Sequence, residues 1–388
     1  MRKRILIVFL LSLLTGCSKI NEIQYEAYAV GMGIDYTNNE YHVVLQFLDF
    51  SNVAKTEQGK SEQPSPIWIG SGRGKTIEEA LTKIYHGIQI PVNYDQISLF
   101  VFGKSLLENR LSRALKALET NFNIRLTGLT YGTEEPLEKI FTTKVPFNYD
   151  YSNSRINHPE YMQEQDSSIP AISLQELIYQ FNEKTKTIIL PGIKSNDKIM
   201  RNNLNKFPVT TLNGAYLIKD EKLTSQLTGS DLEGFIHINN QSVRSPIIVR
   251  ERKAGKEELV QIELLRPKVK RVFNKEQNDV HIGLDIKVSA IVRESDHEII
   301  LSSKIKREIE NKIRNEVYGV YLKSKEIRAD IYQFEDYMYR FMYEDWKKYR
   351  KEANFPSLNK KDIRVKIAPL KSINKINTGN NLLFNNTK

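Results

Sequence analysis

A glycine-rich run at residues 70–76 has the residue types of a phosphate-binding loop. It is Gly-Ser-Gly-Arg-Gly-Lys-Thr and lies between a predicted strand and a predicted helix. A loop of that kind needs Gly, four residues and then Gly-Lys-Thr, because the intervening amides must wrap a phosphate group. Counting back from Lys75 places Ile69 where the first Gly belongs. The spacing therefore favours a turn into a capped helix over a nucleotide site.

The spacing of histidine and carboxylate residues predicts neither a metal site nor a nucleophile. The six histidines are His42, His86, His158, His237, His281 and His297. No two of them stand four residues apart, and none has a cysteine nearby. The local group at residues 294–298 (Glu294, Asp296, His297 and Glu298) is better explained as a solvated turn. A carboxylate pair for glycoside hydrolysis stays open, because its members need not be close in sequence. We expect no cofactor, no metal and no enzymatic activity.

The single cysteine, Cys17, has the sequence context of an acylation site. It follows Leu14-Thr15-Gly16, an apolar run that begins at Ile5, and a basic start at residues 2–4. That order is typical of a secretory signal, and the apolar run is too short to cross a hydrocarbon core of about 30 Å. The pattern resembles a bacterial lipoprotein box, which implies a diacylglyceryl thioether on Cys17. We therefore predict that residues 1–16 are removed and that acyl chains hold the protein to a bilayer. The alternative is an ordinary signal peptide with an incidental cysteine.

Charge and length indicate a multi-domain body beside that membrane. The 388 residues carry a formal net charge of +10, and residues 1–16 contribute three of those positive charges. The chain is long enough for two or three domains. Basic and acidic residues alternate closely, as they do at residues 304–312. The positive excess on a membrane-tethered protein favours attraction to anionic headgroups or wall polymers, and the alternation of charge does not predict a nucleic-acid partner.

Hydrophobic periodicity predicts an α+β fold with largely antiparallel sheets and packed amphipathic helices. Capping boxes at Thr76 with Glu79 and at Ser173 with Glu176 each predict the start of a helix. A single helix is expected over residues 107–122, and a strand over residues 232–238. A long helix is expected where apolar residues recur every four positions; these are Ile305, Ile309, Ile313, Val317 and Tyr321.

A charged, amide-rich stretch at residues 192–208 indicates a domain boundary. We divide the chain into a signal peptide at 1–16, an N-terminal domain at 17–200 and a C-terminal region at 201–388. The last is expected to consist of a small module at 205–262 and a larger α+β domain at 266–379.

One segment of the C-terminal region resembles a family signature. Residues 329–337 are Ala-Asp-Ile-Tyr-Gln-Phe-Glu-Asp-Tyr, and Arg340 and Trp346-Lys347-Lys348 follow. This string is similar to that of the germinant-receptor C-subunit family of spore germination proteins. In that family a long charged helix precedes an Asp-Ile-Phe-Gly-Phe-Gly-like turn, and a helix with Arg and then Trp-Lys follows it. Glu335 stands where the family usually has Gly.

Further segments occur in the order that this family shows. They are the lipoprotein box, Gly33–Asp35, Gly74–Ala80, Leu190–Ile193, Asn213–Tyr216 and Thr378–Gly379. The resemblance implies a lipoprotein of three α+β domains on the outer face of the spore inner membrane, with no known enzymatic activity. It further implies that the protein acts with two polytopic membrane subunits, A and B, in a receptor for nutrient germinants. Candidate structural or interaction residues are Asp330, Phe334, Arg340 and Trp346, besides the lipidation site Cys17.

Two other functions are compatible with an exported, anchored body. A solute-binding lipoprotein would capture a small nutrient in an interdomain cleft and pass it to a membrane transporter. A cell-wall hydrolase would need the carboxylate pair left open above.

Overall fold

The structure, a computed structural model, describes residues 26–48, 66–120, 124–162, 165, 169–253, 256–276, 279–294, 303–351, 356–368 and 371–372. No helix in these ranges has the length and apolar character needed to span a membrane. Cys17, the group at residues 295–298 and the segment Thr378–Gly379 lie outside the described residues, so what we predict for them stays a prediction.

Nine α-helices are found in the described ranges. They are α1 Ile77–Tyr85, α2 Lys104–Asn109, α3 Leu111–Glu119, α4 Leu137–Phe141, α5 Leu174–Asn182, α6 Gly229–Ile236, α7 Ser303–Ile327, α8 Phe334–Phe341 and α9 Tyr343–Lys351. The strands are β1 Ala27–Thr37, β2 Glu40–Phe47, β3 Trp68–Gly74, β4 Val92–Asn93, β5 Leu99–Gly103, β6 Leu129–Thr133, β7 Ile172–Ser173, β8 Ile188–Asn202, β9 Asn205–Lys219, β10 Lys222–Leu227, β11 Arg244–Lys253, β12 Lys256–Glu276, β13 Asp279–Glu294, β14 Ser357–Ile367 and β15 Lys371–Ser372.

The first ten strands form one mixed sheet, the N-terminal sheet. Its order is β10-β9-β8-β6-β5-β1-β2-β3, with β4 beside β1 and β7 beside β6. The neighbours β1–β5, β5–β6 and β6–β8 are parallel, whereas the hairpins β1–β2, β2–β3, β8–β9 and β9–β10 are antiparallel. Parallel neighbours need crossover connections, and helices α1, α2–α3 and α5 lie in those connections.

The last five strands form the C-terminal sheet, whose order is β11-β12-β13-β14 with β15 beside β13. Helix α7 packs on this sheet through the predicted four-residue repeat. Its buried residues are Ile305, Ile309, Ile313, Val317, Val320, Tyr321 and Ser324. Two sheets with packed amphipathic helices confirm the α+β class, although the centre of the N-terminal sheet is parallel.

Both predicted capping boxes are present. The Thr76 hydroxyl accepts the backbone N–H of Glu79 at 3.1 Å, and the Ser173 hydroxyl accepts that of Glu176 at 3.1 Å. Each bond satisfies one of the N–H groups that the first turn of a helix leaves without an intrahelical partner. Local sequence therefore sets where α1 and α5 begin.

Two of the expected elements differ in the structure. Residues 232–238, expected as a strand, belong largely to α6, which crosses α7 closely. A Cβ on Gly234 would lie 2.5 Å from the Glu316 carbonyl oxygen, so this glycine permits the close contact between the two helices. The single helix expected from residue 107 is interrupted at Arg110, whose backbone φ/ψ of −142°/15° is not helical.

Strand β9 joins the two halves of the molecule. The predicted boundary at residue 200 falls at the end of β8, and Asn202 pairs with Asn205 to continue the N-terminal sheet into β9. Tyr216 and Ile218 lie in the core of the N-terminal half, whereas Ala215 and Leu217 lie in the core that includes α7. Because alternate residues of a strand face opposite ways, the last part of β9, residues 215–219, is buried on both sides. The limits of the domains, 17–200 and 201–388, stay a prediction.

Candidate functional site

The turn between α7 and α8, together with α8 and α9, carries all four candidate residues of the C-terminal region. Arg328 and Gln333 both have left-handed backbone, with φ of 52° and 58°. Gln333 precedes α8 but its side chain does not cap it. Instead, Asp330 reaches the helix start, where one carboxylate oxygen accepts the N–H of Glu335 at 2.5 Å. Asp330 therefore fixes the direction in which α8 leaves the turn.

Phe334 is the apolar centre of this turn and is fully buried. Its ring contacts Tyr332 edge-on at 5.5 Å between centroids and Phe273 of β12 at 6.3 Å. The Tyr332 hydroxyl donates to the carbonyl oxygen of Val317 in α7 at 2.6 Å. The aromatic group thus ties α8 to both α7 and the C-terminal sheet.

Two consecutive carboxylates after Phe334 pair with lysines at the N-terminal sheet, Lys186 just before β8 and Lys219 at the end of β9. Glu335 accepts Lys219 Nζ at 2.9 Å, and Asp336 accepts Lys186 Nζ at 2.9 Å. The Thr185 hydroxyl also donates to Asp336 at 3.1 Å. The Lys219 side chain is 8% exposed and that of Asp336 is 11% exposed, so both pairs are largely withdrawn from water. We name this group of Lys186, Lys219, Glu335 and Asp336 the charge joint.

Arg340 and Trp346 extend the charge joint at its solvent side. Arg340 Nε lies 3.2 Å from both oxygens of Asp336, and its guanidinium donates to the Tyr179 hydroxyl of α5 at 3.0 Å. Trp346 Nε1 donates to Glu335 at 3.3 Å. Trp346 therefore contacts the Glu335 oxygen that Lys219 leaves, whereas Arg340 contacts both oxygens of Asp336, including the one that Lys186 contacts.

Burial and charge act in opposite directions on the two aspartates. Burial raises the pKa of Asp330 to about 6; the hydrogen bond from Glu335 and the charges of Lys219 and Arg271 only partly offset it. Burial also acts to raise the pKa of Asp336, but Lys186 and Arg340 outweigh it and the net pKa is lowered. Asp336 is therefore held as an anion, whereas Asp330 gains a proton much more readily.

Sequence reasoning did not find the N-terminal partners of this site. Lys186 and Lys219 belong to no sequence motif, and they lie more than a hundred residues from the carboxylates they meet. Glu335, noted only as a departure from the family pattern, is the partner of Lys219. No signal in one sequence pairs residues at such separations.

The glycine-rich run has a structural use in the strand that precedes α1. A Cβ on Gly72 would lie 2.1 Å from the Ala80 carbonyl oxygen, and one on Gly74 would lie 2.7 Å from the Ala80 nitrogen. These glycines let α1 lie against β3. The Lys75 side chain pairs with Glu40 at 3.4 Å. Residues 70–74 therefore belong to strand β3, where the sequence predicts a turn, whereas the predicted capped helix start at Thr76 is confirmed.

A serine, a histidine and a glutamate meet at the surface of β2 and β3, but not as a nucleophile relay. His42 Nε2 lies 2.9 Å from the Ser71 hydroxyl and 2.9 Å from Glu138. A relay needs the serine and the carboxylate on opposite ring nitrogens, whereas here both contact the same one. Burial lowers the pKa of His42. In the part of the chain that the structure describes, no three histidine, cysteine or acidic residues group as a metal site.

A cavity of about 330 Å³ opens beside the charge joint. Its lining includes Lys184, Lys186, Asp220, Glu221 and Arg350, together with the last turn of α5. A small solute bound in this cavity would contact these charged side chains. Ligand pockets are mostly apolar with a few polar groups, so the lining is atypical of one.

Comparisons with known proteins cover nearly the whole chain. A model of the spore germination protein N-terminal domain matches residues 19–195, and a model described as spore germination B3/GerAC like, C-terminal, matches residues 213–375. Spore germination protein KC of Bacillus subtilis (strain 168) is 23% identical over 368 residues, which cover 89% of this chain and 90% of that protein. Putative spore germination protein YfkR of the same strain is 26% identical over 145 residues, covering 37% and 38%. The crystal structure of the GerBC protein has a TM-score of 0.52 at 16% identity and covers 88% of this chain and 97% of its own, which shows the shared fold.

Removing the Phe334 ring should strongly destabilise the protein. Phe334→Ala empties a fully buried site, and such changes cost about 3–5 kcal/mol. Urea unfolding followed by circular dichroism measures the loss. Phe341→Ala is the matched control, because that ring is 70% exposed, and it should change stability little. A loss of under about 1 kcal/mol for Phe334→Ala would show that the ring is not part of the core.

The Lys219–Glu335 pair should show energetic coupling. In a double-mutant cycle with Lys219→Met and Glu335→Gln, we expect an interaction free energy of about 1–3 kcal/mol, because the lysine is nearly excluded from water. The control cycle uses Lys206 and Asp197, an exposed pair at 2.9 Å, and should give no measurable coupling. Equal coupling in both cycles would contradict a role for the charge joint.

Asp330→Asn and Asp336→Asn should change the pH dependence of the unfolding free energy in opposite directions. The pKa of Asp330 is raised in the folded state. Its contribution to the free energy of unfolding is therefore fully present below about pH 4 and is lost as pH rises towards about 6. Wild type should therefore lose up to about 3 kcal/mol relative to Asp330→Asn across that range. Asp336→Asn should behave oppositely, because the Asp336 pKa is lowered and wild type loses its advantage as pH falls. Parallel pH profiles for Asp330→Asn and wild type would contradict the burial effect.

Proposed function

The chain belongs to the GerAC-like family of spore germination proteins, and from this membership we propose that it is the lipid-anchored C subunit of a receptor for nutrient germinants. The family is that of germinant-receptor C subunits and is not a known enzyme family. In the proposal, the protein lies on the outer face of the spore inner membrane and contacts the polytopic A and B subunits. Its role is to assemble or gate that receptor without enzymatic activity of its own.

The sequence around Cys17 carries the anchoring part of this proposal. A basic start, an apolar run and small residues precede a cysteine that is the only thiol of the chain. Two or more acyl chains, each methylene contributing about 0.8 kcal/mol on burial, would hold a body of this size to a bilayer. The same pattern supports removal of the signal peptide and a palmitate-type modification of Cys17.

The geometry of the joint supports a role in protein contact. The polar groups that meet at the joint are carboxylates paired with lysines and arginine. Elsewhere, Ser71 and Glu138 contact the same ring nitrogen of His42, whereas nucleophilic catalysis needs them on opposite nitrogens. Charge pairs like those at the joint hold two halves in one orientation, which a subunit needs in order to present a fixed surface to its partners.

A solute-binding lipoprotein is the second candidate, and the charged cavity beside the joint is the observation that favours it. The two functions differ in what the purified protein does alone. A solute-binding protein shows saturable binding of a small nutrient in calorimetry, whereas a receptor subunit of the proposed kind does not. Incubation with peptidoglycan tests the hydrolase alternative in the same preparation.

Cys17→Ala should release the protein from spore membranes and impair germination. The thioether cannot form without the thiol, so the protein should move to the supernatant when membranes are fractionated and probed by immunoblot. Ser18→Ala is the control and should remain membrane-bound with wild-type germination. The N-terminal peptide of the control should carry the acyl mass. Membrane retention of Cys17→Ala with normal germination would contradict the proposal.

Co-purification tests the partners. The wild-type chain, isolated from detergent-solubilised spore membranes, should bring the polytopic A and B subunits with it. Recovery of the chain without any membrane protein, under conditions that keep other membrane complexes intact, would contradict the receptor role.

A further inference from the structure

The chain leads to the predicted anchor from one end of the N-terminal sheet. Strand β1 starts at Ala27, and eight residues separate Glu26 from Cys17. A chain of that length spans at most about 30 Å when fully extended. The end of the sheet where β1 starts, which we name the anchor end, would therefore be kept close to the bilayer surface.

Trp68 lies at the anchor end by strand register. Ala29 of β1 pairs with Phe47 of β2, and Phe47 pairs with Trp68, the first residue of β3. Since adjacent strands are about 4.8 Å apart, Trp68 is about 10 Å across the sheet from Ala29. Its side chain is 62% exposed, although it is among the largest apolar groups of the chain.

The segment between α4 and β7 brings two more exposed aromatic rings to this end. Tyr149 lines the same small cavity as Val30 of β1 and Phe47, and its ring is 50% exposed. Phe147, two residues earlier, is 78% exposed and has a left-handed φ of 62°. A non-glycine residue in that conformation is unfavourable, so an exposed aromatic ring is held there at a cost to folding.

Two further exposed groups are tied to the first residues of β1. The Ala27 N–H donates to the Pro91 carbonyl at 2.8 Å, which places the neighbouring Ile90, 42% exposed, at the anchor end. The Ser98 hydroxyl donates to Asn157 Oδ1 at 2.8 Å, and the Ser98 N–H donates to the Val30 carbonyl oxygen at 3.0 Å. Tyr161, which is 68% exposed, comes four residues after Asn157. We name the exposed aromatic groups the aromatic rim, whose members are Trp68, Phe147, Tyr149 and Tyr161. The apolar side chain of Ile90 lies at the same end.

The acidic groups beside the aromatic rim are engaged locally. Asp150 accepts the N–H of Ser152 at 2.9 Å, and Glu160 lies 2.9 Å from His158 Nδ1. Lys144 lines the same cavity as Tyr149. Tryptophan, tyrosine and phenylalanine side chains that face outward favour the headgroup region of a bilayer.

We propose that the aromatic rim rests in the headgroup region of the bilayer and fixes how the tethered protein stands on it. The inference depends on the proposed anchoring at Cys17 and adds a defined membrane-facing surface to it. Acyl chains alone would leave the body free to rotate on its tether. Several aromatic side chains at the interface would select one orientation and leave the C-terminal half available to protein partners.

Trp68 is a built-in probe of this contact, because the only other tryptophan is Trp346 at the charge joint. The first experiment uses the acylated chain with Trp346→Phe in vesicles of phosphatidylglycerol and phosphatidylethanolamine. Trp68 emission should shift to shorter wavelength and be quenched by brominated lipids. Flotation and the mass of the N-terminal peptide report the anchoring separately. Unquenched, red-shifted emission from acylated, vesicle-bound protein would overturn the aromatic rim while leaving the anchor intact.

A second experiment tests the aromatic rim without acyl chains. The chain that begins at residue 17 and carries Cys17→Ser should partition onto the same vesicles, and adding Trp68→Ser, Phe147→Ser and Tyr149→Ser should weaken partition about tenfold. The matched control carries Phe341→Ser and Tyr343→Ser, exposed rings of α8 and α9, and should bind like the parent. Equal partition of rim and control variants would overturn the proposal. So would Trp68 becoming shielded from acrylamide only when the A and B subunits are present, because that would assign the rim to a protein partner.

Discussion

Desolvated ion pairs across the joint are the interaction on which the rest of the structure depends. Lys186, just before β8, and Lys219, the last residue of β9, are largely withdrawn from water together with the carboxylates of Asp336 and Glu335. Removing one partner of such a pair leaves a buried charge without compensation, which is far more costly than loss of a surface pair. Loss of any one member should therefore destabilise the joint, which favours one relative position of the two sheets.

The N-terminal sheet connects the joint to the predicted anchor. From β1, where the chain leads to Cys17, the hydrogen-bonded order runs through β5, β6 and β8 to β9. Four inter-strand steps of about 4.8 Å place β9 about 19 Å from β1. Lys219 is the last residue of β9, and the alternate faces of that strand lie in the two cores. A surface that fixes β1 against a bilayer thus also fixes the C-terminal half, which is a suitable property for a subunit that works by contact.

The sequence predicted local features well because they depend on neighbouring residues. Thr76 and Ser173 cap helices through bonds to residues three positions on, and α7 follows from a repeat within one helix. Residues 232–238 were wrongly expected as a strand because a short apolar run fits either element. Only the approach of α6 to α7 at Gly234 distinguishes them. Asp330 and Phe334 were found through a family resemblance, but the residues that meet Asp336 across the joint were not. Thr185 and Asp336 are 151 positions apart, and no periodicity joins them.

The most direct test of this account is hydrogen exchange of the whole chain, measured residue by residue at increasing urea concentrations. If the charge joint couples the halves, amides of β8 in the N-terminal half and of β13 in the C-terminal half should converge on one unfolding free energy. The Lys219→Met variant should separate them. Two unfolding free energies that are already well apart in wild type, with β13 opening while β8 stays protected, would contradict the account.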